Sequence, residues 1–240
     1  MTICAFMEFS EYYKTKNVVE SYESKRAAGL KGRVFRILER IFLEKLVKGK
    51  GKSILEAGVG TGFITEILRK HGKVEGFDIS EEMIKTARKK FKGMKITKDN
   101  ILDLNIKKKY DAVVSIRVIS HFDFKDAVIA LNNLKRICKK GGYVIFNLEN
   151  RSFIRRFMRK ILKWGSTKNY QYSISDIRRL AEDSGLKIDK IIYLDHLFLL
   201  PLHFINKLAG NSLENFIIRL ENKLENLRFM SNNSFIRCRA

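Results

Sequence analysis

Residues 53–68 read SILEAGVGTGFITEIL, and no other stretch limits the fold of this chain so tightly. An apolar run leads into Gly58, Gly60 and Gly62, spaced two apart, and a helical pattern starts at Phe63. A strand that ends in bare backbone and turns at once into a helix is the opening unit of an open α/β sheet. The glycines let the chain turn sharply and let a ligand touch main chain with no side chain between them. The spacing also excludes ligands. A dinucleotide fingerprint reads G-x-G-x-x-G, whereas the third glycine here comes one residue early. A phosphate-binding P-loop needs Gly-Lys-Ser/Thr, which is absent. Glu56, just before the loop, repels a pyrophosphate and suits an ammonium group.

The rest of the chain repeats the unit. Strand patterns fall at 53–57, 73–77, 94–97, 111–116, 143–148, 187–194 and 234–237, and helical patterns between them at 63–71, 81–91, 124–139 and 175–185. That alternation predicts an α/β fold, a doubly wound, mostly parallel sheet of seven strands. With 240 residues, 45% of them hydrophobic, the chain reads as a single domain over 1–240. Residues 1–50 supply N-terminal helices. Their apolar stripe of Val34, Ile37, Leu38, Ile41, Phe42 and Leu46 stops at Gly49. Residues 51–150 form the ligand-binding half. Two stretches, 151–172 and 197–230, interrupt the alternation and read as helical lid insertions. In RSFIRRFMRKILKW, residues 151–164, Phe153, Ile154, Phe157, Met158, Ile161 and Leu162 share one face, and five Arg and Lys residues fill the other. A basic amphipathic helix of this kind either packs on the sheet as a lid or lies on an anionic membrane surface.

Ligands of open α/β sheets sit at the carboxyl ends of the strands. Asp78 closes the second strand in VEGFDIS, 22 residues after Glu56, and its carboxylate can accept both hydroxyl protons of a ribose. Ser80 is placed to cap the next helix, with Glu81 and Glu82 in its first turn. His121 follows the fourth strand and is the candidate general base.

Taken in order, these motifs resemble the class I S-adenosylmethionine (SAM) methyltransferases, in particular their small-molecule, quinone-biosynthesis-like branch. E-x-G-x-G-x-G is followed by D-x-S-x-x-M-I, then by TKDNI (97–101), YDAVVSIRVISHF (110–122), LKRICKKGGYVIF (134–146) and YSISDIRRLAEDSGLKI (172–188). The resemblance implies a Rossmann-like methyltransferase fold and SAM as cofactor. It implies a cofactor site of Glu56, Gly58, Gly60, Gly62, Asp78, Ile79, Asp99, Asn100 and Ile116. Asp99 meets the adenine amino group, and Tyr22 and Arg26 come from an N-terminal segment that closes over the cofactor. It implies no metal. The sequence departs from the branch after the fourth strand, where Arg117 stands at a position usually small or polar and Ser120 replaces the first His of a pair.

Charge bears on the partners. Lys and Arg number 48 against 26 Asp and Glu, a net of +22, and such a surface attracts polyanions: RNA, DNA or an anionic membrane face. Cys4, Cys138 and Cys238 lie far apart, without metal-ligand spacing, and read as reduced thiols of a cytoplasmic protein, peripheral at a membrane if the basic helix inserts. No apolar run approaches the ~20 residues that cross a bilayer, and the first residues lack the pattern of a signal peptide. The leading expectation is an enzyme that transfers a methyl group from SAM to an apolar or amphipathic small molecule. The alternatives are an RNA methyltransferase and a non-catalytic SAM-binding or membrane-associated protein. The first of these lacks the N/D-P-P-Y/F tetrapeptide, since Ser115 is followed by Ile116, Arg117 and Val118.

Overall fold

In the computed structural model, the described residues are 16–151, 169–196, 206–227 and 231–240. Two helices come first, α1 (Lys16–Arg26) and α2 (Gly29–Leu46), and the chain then alternates. The order is β1 (Lys52–Ala57), α3 (Phe63–Leu68), β2 (Gly72–Asp78), α4 (Glu81–Lys90), β3 (Ile96–Lys98), β4 (Tyr110–Ser115), α5 (Phe124–Arg136), β5 (Cys138–Asn150), β6 (Gln171–Tyr172), α6 (Ile174–Asp183), β7 (Lys187–His196), α7 (Asn206–Lys223) and β8 (Ser231–Arg239). A 3-10 turn, Ile119–His121, lies between β4 and α5.

The strands form one sheet in the order β3-β2-β1-β4-β5-β8-β7, with β6 paired to β5 off that path. The first five are parallel, whereas β8 runs antiparallel to both β5 and β7. From β1 the chain winds outward through β2 and β3, then returns to lay β4 on the other side of β1. That reversal opens a crevice at the carboxyl ends of β1 and β4, where the glycine loop lies.

Side chains of a strand alternate between faces, and both faces of this sheet are covered. Leu55, Val113, Val144 and Phe146 pack under α5 and α6, while Ile54, Ala112, Val114 and Ile145 pack with α2, α3 and α7. In α5 the buried residues are Ala127, Ala130, Leu131 and Leu134, one face at helical spacing. Its start is fixed by Asp123, which accepts from the Asp126 N–H at 3.0 Å. Ser80 caps α4 in the same way through the Met83 N–H, and Ser173 with Asp176 makes a capping box on α6.

The differences from the sequence expectation have local causes. An eighth strand exists: Gln171 and Tyr172 pair with Glu149 and Asn150, beyond the last residue that β5 shares with β4, and two residues are too short for a periodic signal. Strand β5 starts at Cys138, not Tyr143, so helix α5 stops at Arg136; Gly141, at φ 77, sits inside the strand and masks its pattern. Helix α3 stops at Leu68. The basic stretch 152–168 and residues 197–205 lie outside the described residues. Helix α7 packs along α2, with Arg33 Nε 3.1 Å from Glu214 and Lys45 Nζ 2.6 Å from Asn222, and Ile217 is buried between them and the sheet. No described helix is long and apolar enough to cross a membrane.

Phe146 sits fully buried in the middle of β5. Phe146→Ala should lower the unfolding free energy by about 3–5 kcal/mol, read as a fall in the denaturant midpoint with little change in slope. A loss under about 1 kcal/mol would mean that the two layers do not close on β5.

Candidate active site

The cavity at the carboxyl ends of β1, β2 and β4 is lined on one side by the glycine loop and on the other by the 3-10 turn. Each glycine of the loop has a positive φ, but the three do different work. A Cβ on Gly58 would lie 2.3 Å from the Val118 side chain, and one on Gly62 would lie 2.3 Å from the Phe91 ring. Those two glycines serve packing, and Gly62 does not line the cavity. Gly60, at φ 55, lines the cavity, and a Cβ there would meet no protein atom. It holds bare backbone toward open space, which is the arrangement that lets a ligand approach the chain.

Asp78 fixes that loop. Its Oδ2 accepts the Gly60 N–H at 2.8 Å, and its Oδ1 accepts the Ser80 N–H at 2.9 Å. Burial raises its pKa, opposed by these backbone N–H groups and that of Ile79. Asp78, Ile79, Asp99, Ile101 and Met83 make one wall of the cavity. Asp99 joins it because its N–H is donated to the Asp78 carbonyl at 3.1 Å. Asn100 lies just outside, where its side chain accepts from the Leu102 N–H at 3.0 Å and builds a turn.

Glu56 is buried at the end of β1. Thr65 Oγ1 donates to its Oε2 at 2.5 Å, and Oε1 has no hydrogen-bond partner among the described residues. Burial pushes its pKa up to about 8, with Asp78 adding to the rise, while the Thr65 hydroxyl and the Arg117 charge pull it down. A buried carboxylate oxygen without a donor marks a place for a cationic or hydrogen-bonding group.

Helix α1 reaches the site. Tyr22 lines the cavity, and Arg26, outside it, lies 5.5 Å from the Tyr22 ring. Glu23 accepts from the Thr61 hydroxyl and pairs with Arg36 of α2, so the helix is tied to the glycine loop itself. Burial raises the Glu23 pKa, but these contacts win and hold it below the usual carboxylate range.

The opposite wall comes from Ile116, Arg117, Val118, His121 and Phe122. His121 is nearly buried, and that burial takes its pKa down to about 4; an Asn169 hydrogen bond opposes the fall, and the charges of Arg26 and Arg117 add to it. The imidazole is therefore neutral at physiological pH. Arg117, singled out in the sequence only as a departure, stands within the site, as do Thr61 of the loop and the supporting Glu23 and Glu39.

A family model described as a methyltransferase domain matches residues 55–146, from β1 to the middle of β5. A ubiquinone biosynthesis O-methyltransferase of Coxiella burnetii is 27% identical over 163 residues, covering 61% of this chain and 68% of that protein. A phosphatidylethanolamine N-methyltransferase of Cereibacter sphaeroides is 29% identical over 106 residues, 41% of this chain and 51% of that protein. Among solved structures, magnesium protoporphyrin IX methyltransferase from Synechocystis, with bound S-adenosylhomocysteine (SAH), superposes with a TM-score of 0.66 at 17% identity, covering 98% of this chain and 99% of that one. A likeness at that identity shows the shared fold. Residues 55–146 thus carry a methyltransferase domain, and the chain has the fold of the SAM-dependent methyltransferases.

The buried Glu56 has a pH consequence. Its folded pKa, about 8, lies above its ordinary 4.5, so the ligand-free fold gains stability at low pH and loses it as pH rises from about 4.5 to 8. Glu56→Gln should flatten that fall, worth on the order of a few kcal/mol across the window, in urea melts at pH 5 and pH 8. Equal pH slopes for the two proteins would show that Glu56 is ionised throughout.

Proposed function

We propose that the cavity binds SAM along the glycine loop and transfers its methyl group to an apolar or amphipathic small molecule seated against the β4 wall. One observation carries this reading. Gly60 turns bare backbone into open space while its N–H is held by Asp78, so the loop and the acid that follows β2 form one preset surface. The residues fit the cofactor. Asp78 takes the ribose hydroxyls, Asp99 the adenine amino group, and Ile79, Met83 and Ile101 enclose the base. Glu56, with its unpartnered oxygen, balances the amino-acid ammonium. Tyr22 and the tie of Glu23 to Thr61 hold α1 across the loop and keep water out.

The bound cofactor supplies a methyl group on a sulfonium, already activated for displacement. The protein then has to align the acceptor in line and keep the site dry. His121, neutral and nearly buried, accepts a hydrogen bond from the acceptor; at a pKa of about 4 it is a weak base, so alignment outweighs proton removal. Apolar lining by Ile116, Val118 and Phe122 supports an amphipathic acceptor. The net charge of +22 supports adsorption to an anionic membrane face from which such an acceptor is drawn.

Two tests follow. Asp78→Ala should weaken SAM binding by about 1.5–3 kcal/mol, as for a hydrogen bond to a charged group. Gly60→Val should abolish it with the fold retained, and NAD should not bind the wild type. Calorimetry showing wild-type SAM affinity in both folded variants would remove the loop from the cofactor site. Anionic liposomes should sediment the protein at low salt and release it at high salt, because surface charges are screened over about 8–10 Å at physiological ionic strength. Binding that ignores salt would argue against the electrostatic attachment.

A further inference from the structure

Strands β1 to β5 and β7 all start at one edge of the sheet, opposite the catalytic cavity, and lysines stand at their starts. Lys73 is the second residue of β2, Lys107 and Lys109 lead into β4, Lys140 is the third residue of β5, and Lys187 opens β7. All five are exposed. Strand register sets them in a row. Lys73 pairs with Ser53, Ala112 with Tyr143, and Arg239 with both Tyr143 and Lys187, so the starts of β2 and β7 stand nearly level. They are five steps apart along the order β2-β1-β4-β5-β8-β7. At about 4.8 Å per step, the row is about 24 Å long. The other edge, where the strands end, carries Glu56, Asp78 and Asp99.

Acids near this edge are held by other cations. Asp111 pairs with Lys139 at 2.7 Å, Asp189 with Arg237 and Arg239, and Glu75 with Lys108. Lys73, Lys107, Lys140 and Lys187 make no ion pair among the described residues. Lys109 donates to the Arg136 carbonyl at 2.7 Å, a neutral partner that leaves its charge in place. A concavity beside it is lined by Lys109, Lys135, Arg136, Lys140 and Ala240, so four cations face at most one carboxylate. Like charges side by side repel and do nothing for the fold. A polymer of phosphates answers such a row, because a duplex carries one negative charge per about 1.7 Å of its axis. Arg136 spends Nη1 and Nη2 on the carbonyls of Ile106 and Leu104, so it offers no fork to a base edge, and the lysines act as point charges toward phosphates. A bilayer fits worse. The exposed large hydrophobic side chains among the described residues, Ile129, Tyr170, Phe216 and Leu227, stand at none of these strand starts. A membrane there would also leave the catalytic cavity at the far end of the molecule.

We infer that the edge of the sheet from β2 to β7, at the strand starts, is a docking surface for the phosphate backbone of a nucleic acid duplex, apart from the catalytic cavity. The duplex is a tether and not the methyl acceptor, since the cavity opens at the opposite edge. Its phosphates lie along the lysine row and exchange condensed counterions for ammonium groups, without regard to base sequence. The inference stands independently of the cofactor reading.

The test is fluorescence anisotropy of a labelled DNA duplex of about 20 base pairs and mixed sequence, titrated with the full chain across a salt series. Two variants of equal charge loss are compared with the wild type. One carries Lys73→Gln, Lys107→Gln, Lys140→Gln and Lys187→Gln. The other carries Lys85→Gln, Lys98→Gln, Lys125→Gln and Arg178→Gln, on the side of the sheet where the strands end. The wild type should show a slope of log affinity against log salt of about −3 or steeper. The first variant should lose at least about tenfold in affinity at low salt and flatten the slope by about 2–4. The second should lose less than about threefold, since its charges act only through screened solvent. Equal losses in the two variants, a wild-type slope flatter than about −2, or no binding at all overturns the inference. Sedimentation with phosphatidylglycerol liposomes supplies the other arm. The first variant should keep wild-type liposome binding, and a loss there as large as its loss of DNA binding would make this edge a membrane surface and overturn the inference as well.

Discussion

The hydrogen bond from the Gly60 N–H to the Asp78 carboxylate, 2.8 Å long, joins the two pieces of chain on which the site depends. It links the loop after β1 to the end of β2, and it exists because those strands are parallel neighbours in register, with Ala57 beside Phe77. The N–H groups of Gly58 and Val59 reinforce it by donating to the Phe77 carbonyl at 2.8 and 3.1 Å. A loop held at three points is set before any ligand arrives, so less ordering entropy opposes binding. Two of its glycines are needed to pack against Val118 and Phe91, which leaves Gly60 free to face the cavity.

Charge in the site is organised around the same frame. Glu23, Glu39 and Glu56 approach from α1, α2 and β1, and Arg36 and Arg117 stand among them. The consequences differ with burial and partner. Glu23, with a hydroxyl and a guanidinium, stays ionised, whereas Glu56, with one hydroxyl, has its pKa pushed up to about 8. The ligand-free site thus holds a carboxyl group whose ionisation is costly until a cation comes near it. That couples a positively charged ligand to the glycine loop through ordinary desolvation.

Much of this was legible in the sequence, because apolar periodicity and glycine placement are local signals. The strands β1, β2 and β4, the helix cap at Ser80, and the arrangement of Gly58, Gly60 and Asp78 follow from short patterns and appear within a residue or two of their expected places. Asp99, Ile79, Ile116 and Tyr22 line the cavity. What the sequence hides is long-range. Nothing local shows that Glu39, 78 residues before Arg117, lies against its guanidinium, or that Glu23 holds Thr61 of the loop. The strand of Gln171 and Tyr172 is two residues long and is fixed only by its neighbour β5. Glu56, Gly62, Asn100 and Arg26 carry the motif pattern yet do not line the cavity, since a motif records spacing and the side-chain direction is set by packing.

The most direct test of the account is a crystal structure of the protein grown with SAH. The account predicts the ribose on Asp78, the adenine between Ile79 and Ile101 with its amino group at Asp99, and the amino-acid tail crossing Gly60 toward Glu56. Density for the ligand elsewhere on the molecule, or a ribose that leaves Asp78 untouched, would contradict it.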